Sequence, residues 1–181
     1  PMPPTTPTTP PATPPPAAKP ATVTGSQLGF ASPTRNLVCT MDATNGVRCH
    51  AMTANWTGQD LPASKLQNCG NDMAGDFGPG QDVILTREGS FGSCVTEISV
   101  YEAVETNDGQ TNDYGAAYRS WAGKDTELVE FLPGMKAYVL PYGTTAVTGQ
   151  FSCAMAQTGI TCDDANSKAA FHLSRNDLTL R

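Results

Sequence analysis

The chain has 181 residues and a mass of 19.0 kDa, with 11 basic against 17 acidic side chains and a formal net charge of −6. That length suits one domain with a tail, and a pI near 4.7 argues against nucleic acid, whose phosphates need clustered Lys and Arg. No apolar run approaches the roughly 20 residues that cross a bilayer as a helix, and no phosphate loop, zincin helix or nucleophile elbow is present.

Residues 1–26 read as a Pro/Thr-rich stalk or linker. Ten of the 15 prolines fall in residues 1–20, and up to Gly25 the only charged side chain is Lys19. Proline fixes φ and lacks an amide donor, and the segment has almost no apolar surface to bury. An extended polyproline II conformation is therefore expected, spanning on the order of 75 Å over 25 residues. The first residue is not methionine and Met2 lies inside the proline run. Any membrane connection is expected through an N-terminal anchor missing from the sequence.

Residues 27–181 read as one domain. Its six cysteines are Cys39, Cys49, Cys69, Cys94, Cys153 and Cys162, spaced in pairs by 10, 25 and 9 residues. No CxxC occurs and only two histidines exist, so zinc ligation is a poor fit and disulfides in an extracytoplasmic compartment are the expectation. Six cysteines allow 15 pairings. Asn36–Met41 and Val47–Met52 flank turn residues ending in Asn45-Gly46, which reads as a β-hairpin with Cys39 opposite Cys49. Phe151–Met155 and Ile160–Asp163 flank Gln157-Thr158-Gly159 in the same way, placing Cys153 opposite Cys162. Elimination leaves Cys69 with Cys94. By loop-closure entropy each short bridge contributes about 2.5 kcal/mol and the long one about 3.5 kcal/mol.

Further strands are expected at Val83–Thr86, Ile98–Tyr101, Ala137–Leu140 and Ala170–Ser174, each bounded by Gly, Pro, Asn or Asp. One short helix is expected over Asp113–Ala122, where Tyr114, Tyr118 and Trp121 share a face. The fold class is mainly β: an antiparallel, disulfide-stapled sandwich or barrel-like domain with at most one short helix.

Phe30-Ala-Ser-Pro-Thr-Arg-Asn36 leads to Cys39, followed by Val47-Arg-Cys49, Trp56, Cys69 and Cys94. Leu140-Pro-Tyr-Gly143, Cys153, Gly159-Ile-Thr-Cys162 and Phe171-His-Leu-Ser-Arg175 come later. This pattern resembles a domain of unknown function on exported proteins and lipoproteins of actinobacteria, and it covers residues 28–181. The resemblance implies an extracytoplasmic, mostly β domain and assigns no catalytic residue. Between Cys94 and Leu140 this chain departs from it, with about 45 residues in place of a short connection.

Residues 96–135 of that stretch are treated as an insertion. It holds Tyr101, Tyr114, Tyr118, Trp121 and Phe131, five of the chain's 13 aromatics, together with Arg119. Aromatics and Arg on an excursion from a rigid scaffold are the composition of interaction hot spots. Tyr114, Tyr118, Arg119 and Trp121 are accordingly the candidate partner-binding residues, with local packing the competing role. His50 and His172 each alternate with core-facing neighbours and are expected to face away from the core. Asn71–Asp76, Glu105–Asp113 and Asp163–Asn166 carry clustered acids, but none has the full register of a calcium loop, and solvated turns are the expectation. No metal, cofactor or catalytic residue is assigned.

The leading expectation is a non-enzymatic, extracytoplasmic cell-envelope domain that binds a partner protein or an envelope glycan through the insertion. One alternative is a small secreted hydrolase of wall polymer or peptide, using Asp108, Asp113 or Glu127 beside a Tyr or His. The other is a secreted inhibitor or effector presenting a rigid loop.

Overall fold

The computed structural model describes residues 21–57, 61, 81–93, 105–106 and 113–181. In chain order the strands begin with β1 (Ala21–Thr24), β2 (Gln27–Ala31), β3 (Leu37–Asp42) and β4 (Gly46–Ala51). β5 (Asp82–Leu85), β6 (Phe91–Gly92) and β7 (Glu105–Thr106) follow, then helix α1 (Asp113–Arg119). After it come β8 (Leu128–Leu132), β9 (Met135–Tyr138), β10 (Thr144–Thr148) and β11 (Phe151–Ala156). β12 (Gly159–Asp164), β13 (Ala170–Leu173) and β14 (Leu178–Leu180) complete the chain.

These strands form three sheets, ordered β1-β10-β11-β12-β13-β14, β2-β3-β4-β5-β6 and β7-β9-β8. None closes into a barrel. Strand pairing is antiparallel except between β1 and β10, which run parallel. Among the described residues the fold is therefore mainly β, with one short helix.

Period-two alternation builds the core between the first two sheets. Along β11, Phe151, Cys153 and Met155 are buried while Ala154 and Ala156 are exposed. Ile160 and Cys162 of β12 and Phe171 and Leu173 of β13 join them. From the second sheet come Leu28 and Phe30, Cys39 and Met41, Val47 and Cys49, and Val83 and Leu85. Phe30, Phe151 and Phe171 are fully buried, and truncating one such ring typically costs about 3–5 kcal/mol.

Both hairpin disulfides lie inside this core. Cys39 faces Cys49 and Cys153 faces Cys162 in direct register, each pair with Cα atoms 4.1 Å apart, near the roughly 4.5 Å of a non-hydrogen-bonded antiparallel pair. Each of these two bridges joins neighbouring strands of one sheet. Between the two sheets the described residues meet through apolar packing. Cys69 with Cys94, the strand expected at 98–101, residues 1–20, the acidic stretch 71–76 and residues 107–112 lie outside the described residues.

Two buried aspartates close the turns beside the bridges. Asp42 accepts from the Thr44 amide at 2.6 Å, the Asn45 amide at 2.9 Å and Gln27 Nε2 at 2.6 Å. That cap leads into Gly46, whose φ of 99° and approach to the Leu85 carbonyl leave no room for a Cβ. Asp164 accepts from the Asn166 amide at 2.8 Å, Ser167 Oγ at 2.6 Å and Gln150 Nε2 at 2.9 Å.

β3 is buried at all six positions, so both faces of the second sheet are covered. On its outer face Ala31 and Val38 pack against Val129 of β8 and Ala137 and Val139 at β9, forming a second apolar cluster. Arg48 pairs with buried Asp82 at 2.9 Å on the same face. The third sheet and α1, both from the insertion and its flank, thus make a third layer.

Ala21–Thr24 falls within the span expected as stalk (1–26), and the structure makes it a strand. No proline occurs from Ala21 to Ser32, so these amides can donate, and Thr22-Val23-Thr24 suits a pleated edge. Ala21 N donates to Gly143 O at 3.4 Å and Gly25 N to Val147 O at 3.3 Å. Helix α1 ends at Arg119, three residues short of the expected Ala122.

The two caps give the fold an acid dependence. Burial pushes each carboxyl up, but the donors outweigh it: Gln27 with the Asn45 and Thr44 amides at Asp42, and Ser167, the Asn166 amide and Gln150 at Asp164. Both pKa values therefore lie below the ordinary carboxylate value of about 3.9. Their stabilisation is complete above that unfolded-state value and is lost as pH falls through the lower folded-state values. Urea midpoints are expected to fall between pH 5 and pH 2, and Asp164→Asn should be less stable at pH 7 with a flatter slope. Separately, replacing Cys153 and Cys162 together by Ala should cost about 2–3 kcal/mol in the same urea titration.

Candidate functional site

A cleft of about 1040 Å³ lies at the seam between the first sheet and the inserted layer. One wall is Ala21 and Val23 of β1 with Pro141, Tyr142 and Thr144 at the start of β10. The facing wall is Trp121 and residues 123–127, and Met155 and Gln157 close one end. The lining is mainly apolar, with Trp121 and Tyr142 as its aromatics.

Local structure explains why these two rings sit there. Thr144 N donates to Pro141 O at 3.1 Å, closing a four-residue turn, and Gly143 takes φ 81° at its third position. A positive φ at that position is the type II geometry and favours Gly; the residue before it, Tyr142, is left at the corner. Gly143 N to Met155 O at 2.8 Å fastens the turn to β11.

Trp121 is set differently. Its indole N–H donates to Gly29 O at 2.9 Å, and its ring meets Tyr138 edge-on with centroids 6.4 Å apart. The ring is half-buried, anchored at one edge and part of the cleft wall at another.

Asp125 and Glu127 are exposed on the same wall, with Lys124 beside them. Gly123 N to Thr126 Oγ1 at 2.9 Å and Thr126 N to Gly123 O at 3.0 Å hold that turn, and Val139 N to Glu127 O at 2.8 Å ties it to the third layer. A fixed scaffold therefore carries exposed carboxylates at the cleft rim.

A second, more polar groove of about 650 Å³ adjoins the first. Ser32, Asn36, Thr53, His172 and Arg175 are among its lining residues, and Tyr142 with Met155–Gln157 forms the ridge shared by both grooves. Asn36 holds Thr53 by paired bonds of 2.9 and 3.0 Å, and Trp56 Nε1 reaches Ser174 O at 3.0 Å. Several residues of the Ser32–Asn36 and Phe171–Arg175 stretches thus tie loops together.

Of the residues singled out from sequence, Tyr118 is buried, Arg119 is half-exposed and Trp121 lines the cleft. Tyr114 belongs to α1. Glu127 is on the cleft rim, and Asp108 lies outside the described residues. His50 and His172 stand on different sheets, both half-buried, and His172 Nδ1 lies 3.0 Å from Thr161 Oγ1. Asp163 and Asp164 point to opposite faces of β12, where Asp163 accepts from Ser152 and Asp164 caps its turn. Tyr142, Pro141 and Val23 were not expected at a site; Leu140-Pro-Tyr-Gly143 was the available signal, since a Pro and a Gly around a tyrosine mark a turn that displays it.

Comparison with protein-family models, curated proteins and solved structures finds no match to this chain. The two disulfide-linked hairpins therefore stand on the geometry above.

The anchoring of Trp121 has a measurable consequence. Trp121→Phe keeps most of the ring but leaves the Gly29 carbonyl without its donor. It is expected to lower unfolding free energy by about 1–2 kcal/mol in urea titration. No change would mean that the indole N–H has no structural share.

Proposed function

We propose that this chain is a non-enzymatic, extracytoplasmic cell-envelope accessory domain that holds a partner protein or an envelope glycan in the Trp121–Tyr142 cleft. The observation that carries this reading is the cleft itself: a mainly apolar, aromatic-edged concavity of about 1040 Å³ on a doubly stapled sandwich. Such a concavity with a few polar groups is the usual form of a binding site. Aromatic faces take sugars and peptide side chains alike, and the rim carboxylates of Asp125 and Glu127 can accept hydrogen bonds from either. Disulfides are compatible with an oxidising, extracytoplasmic compartment.

The test is retention of envelope protein and of soluble wall oligosaccharide on immobilised chain, compared with Tyr142→Ala. Tyr142 is half-buried at a turn held by backbone bonds, so the variant should keep its circular dichroism. Affinity is expected to fall at least tenfold. Equal retention by the variant would remove the cleft from the function. Release of cleaved polymer, abolished in Glu127→Gln, would favour the hydrolase reading instead.

A further inference from the structure

We propose that the polar groove beside the cleft is a binding site for a carboxylated sugar, whose acid group is held on Arg175. This deepens the reading of the cleft as a binding site and rests on it: the groove continues the cleft across Tyr142, so the ligand of both is an acidic glycan.

The groove lies at the end of the first sheet where two hairpin turns sit side by side, since Ile160 at the start of β12 is paired with Leu173 at the end of β13. The β11–β12 turn carries Gln157 and Thr158 between the paired Ala156 and Gly159. The β13–β14 turn carries Arg175 and Asn176, because Ser174 Oγ accepts from the Asn176 and Asp177 amides, both at 3.1 Å. Asn55 N to Arg175 O at 2.8 Å and Trp56 Nε1 to Ser174 O at 3.0 Å fasten that turn to the segment after β4. Its corner side chains are thus displayed from a fixed backbone.

Hydrogen bonds separate wall from site. On the β2–β3 side, Ser32 and Thr34 hold each other at 3.1 Å, and both ends of the Asn36 amide are committed to Thr53. On the first-sheet side, the Gln157, Thr158 and Arg175 side chains are exposed and have no partner among the described residues. His172 Nδ1 is engaged by Thr161 Oγ1 at 3.0 Å, which leaves Nε2, and Asn176 gives Oδ1 to Asn55 and keeps Nδ2. The carboxylate of Asp177 is turned onto Ser174 Oγ. The groups still open to a ligand are therefore mostly donors, gathered around one guanidinium.

That set matches an acidic sugar. A guanidinium meets a carboxylate through paired N–H···O bonds, and amides and hydroxyls beside it suit sugar hydroxyls, which donate and accept alike. An extended peptide fits less well, because β11, β12 and β13 are interior strands and none of them offers an edge to a peptide backbone. Charge also sets a direction. Asp125 and Glu127 outnumber Lys124 on the cleft rim, whereas Arg175 stands on the groove side of Tyr142. An anion is repelled at the first and held at the second, which leaves the cleft to an uncharged neighbouring sugar.

The experiment titrates two disaccharides into the whole 181-residue chain by calorimetry. One is N-acetylglucosamine joined to N-acetylmuramic acid; the other is chitobiose, its counterpart without the lactyl carboxylate. The acidic sugar is expected to bind roughly tenfold more tightly or better. Arg175→Ala should abolish that preference with circular dichroism unchanged, and Arg175→Lys, which keeps the charge but not the planar fork, should recover part of it. Equal binding of the two sugars, binding of neither, or a preference that survives Arg175→Ala would overturn the proposal. A tetraglutamate peptide that binds more tightly than the acidic sugar would overturn it in favour of an acidic peptide. If the sugar result fails while Tyr142→Ala still lowers envelope-ligand retention, only this inference falls. If the Arg175-dependent preference holds while Tyr142→Ala leaves retention unchanged, the groove stands as a sugar site and the proposed function of the cleft falls.

Discussion

A β-strand with no exposed position needs cover on both of its faces, and β3 is such a strand. A two-layer sandwich supplies one cover, through the core shared with β10–β13. The other has to come from elsewhere, and it comes from the segment that follows Cys94 in the chain: Val129, Ala137 and Val139 lie on Ala31 and Val38. That requirement decides the fate of the inserted aromatics. Tyr118 is buried and Trp121 is bonded to β2, so much of the segment's apolar surface is used in closing the second sheet.

The same layer also resolves an edge. β2 is an outer strand of its sheet, and an open row of carbonyls invites pairing with another chain. At Gly29 the carbonyl takes the Trp121 indole, and at Ala31 it takes the Leu140 amide at 2.9 Å. A short parallel bridge between Ala31 and Val139 continues the sheet into the third layer. The insertion is thus built into the fold at its weakest boundary, and the cleft is where that boundary meets the first sheet.

Local pairing was legible in the sequence because it depends on residues close in the chain. The Cys39–Cys49 and Cys153–Cys162 registers follow from turn chemistry at Asn45-Gly46 and Thr158-Gly159, and α1 follows from its aromatic spacing. What was not legible depends on distant partners. β1 carries no alternation strong enough to announce itself beside a proline-rich segment, and only β10, more than a hundred residues away, makes it a strand. The third layer was equally hidden, since full burial of β3 shows in sequence merely as an apolar run. Tyr142 stood within Leu140–Gly143 as a pattern, without a hint that Trp121 would face it across a cleft.

Structural roles are shared unevenly around that cleft. Tyr142 sits on a turn whose shape comes from backbone bonds and Gly143, so its side chain can vary without unfastening the strands. Trp121 has no such freedom, because one edge of its ring secures β2 while the rest forms the wall. Displacing Trp121 would therefore disturb β2 and, through Tyr138, the layer covering β3. Trp121, like Tyr142, also packs against the doubly bridged core, so the cleft wall, the third layer and the core meet at one indole.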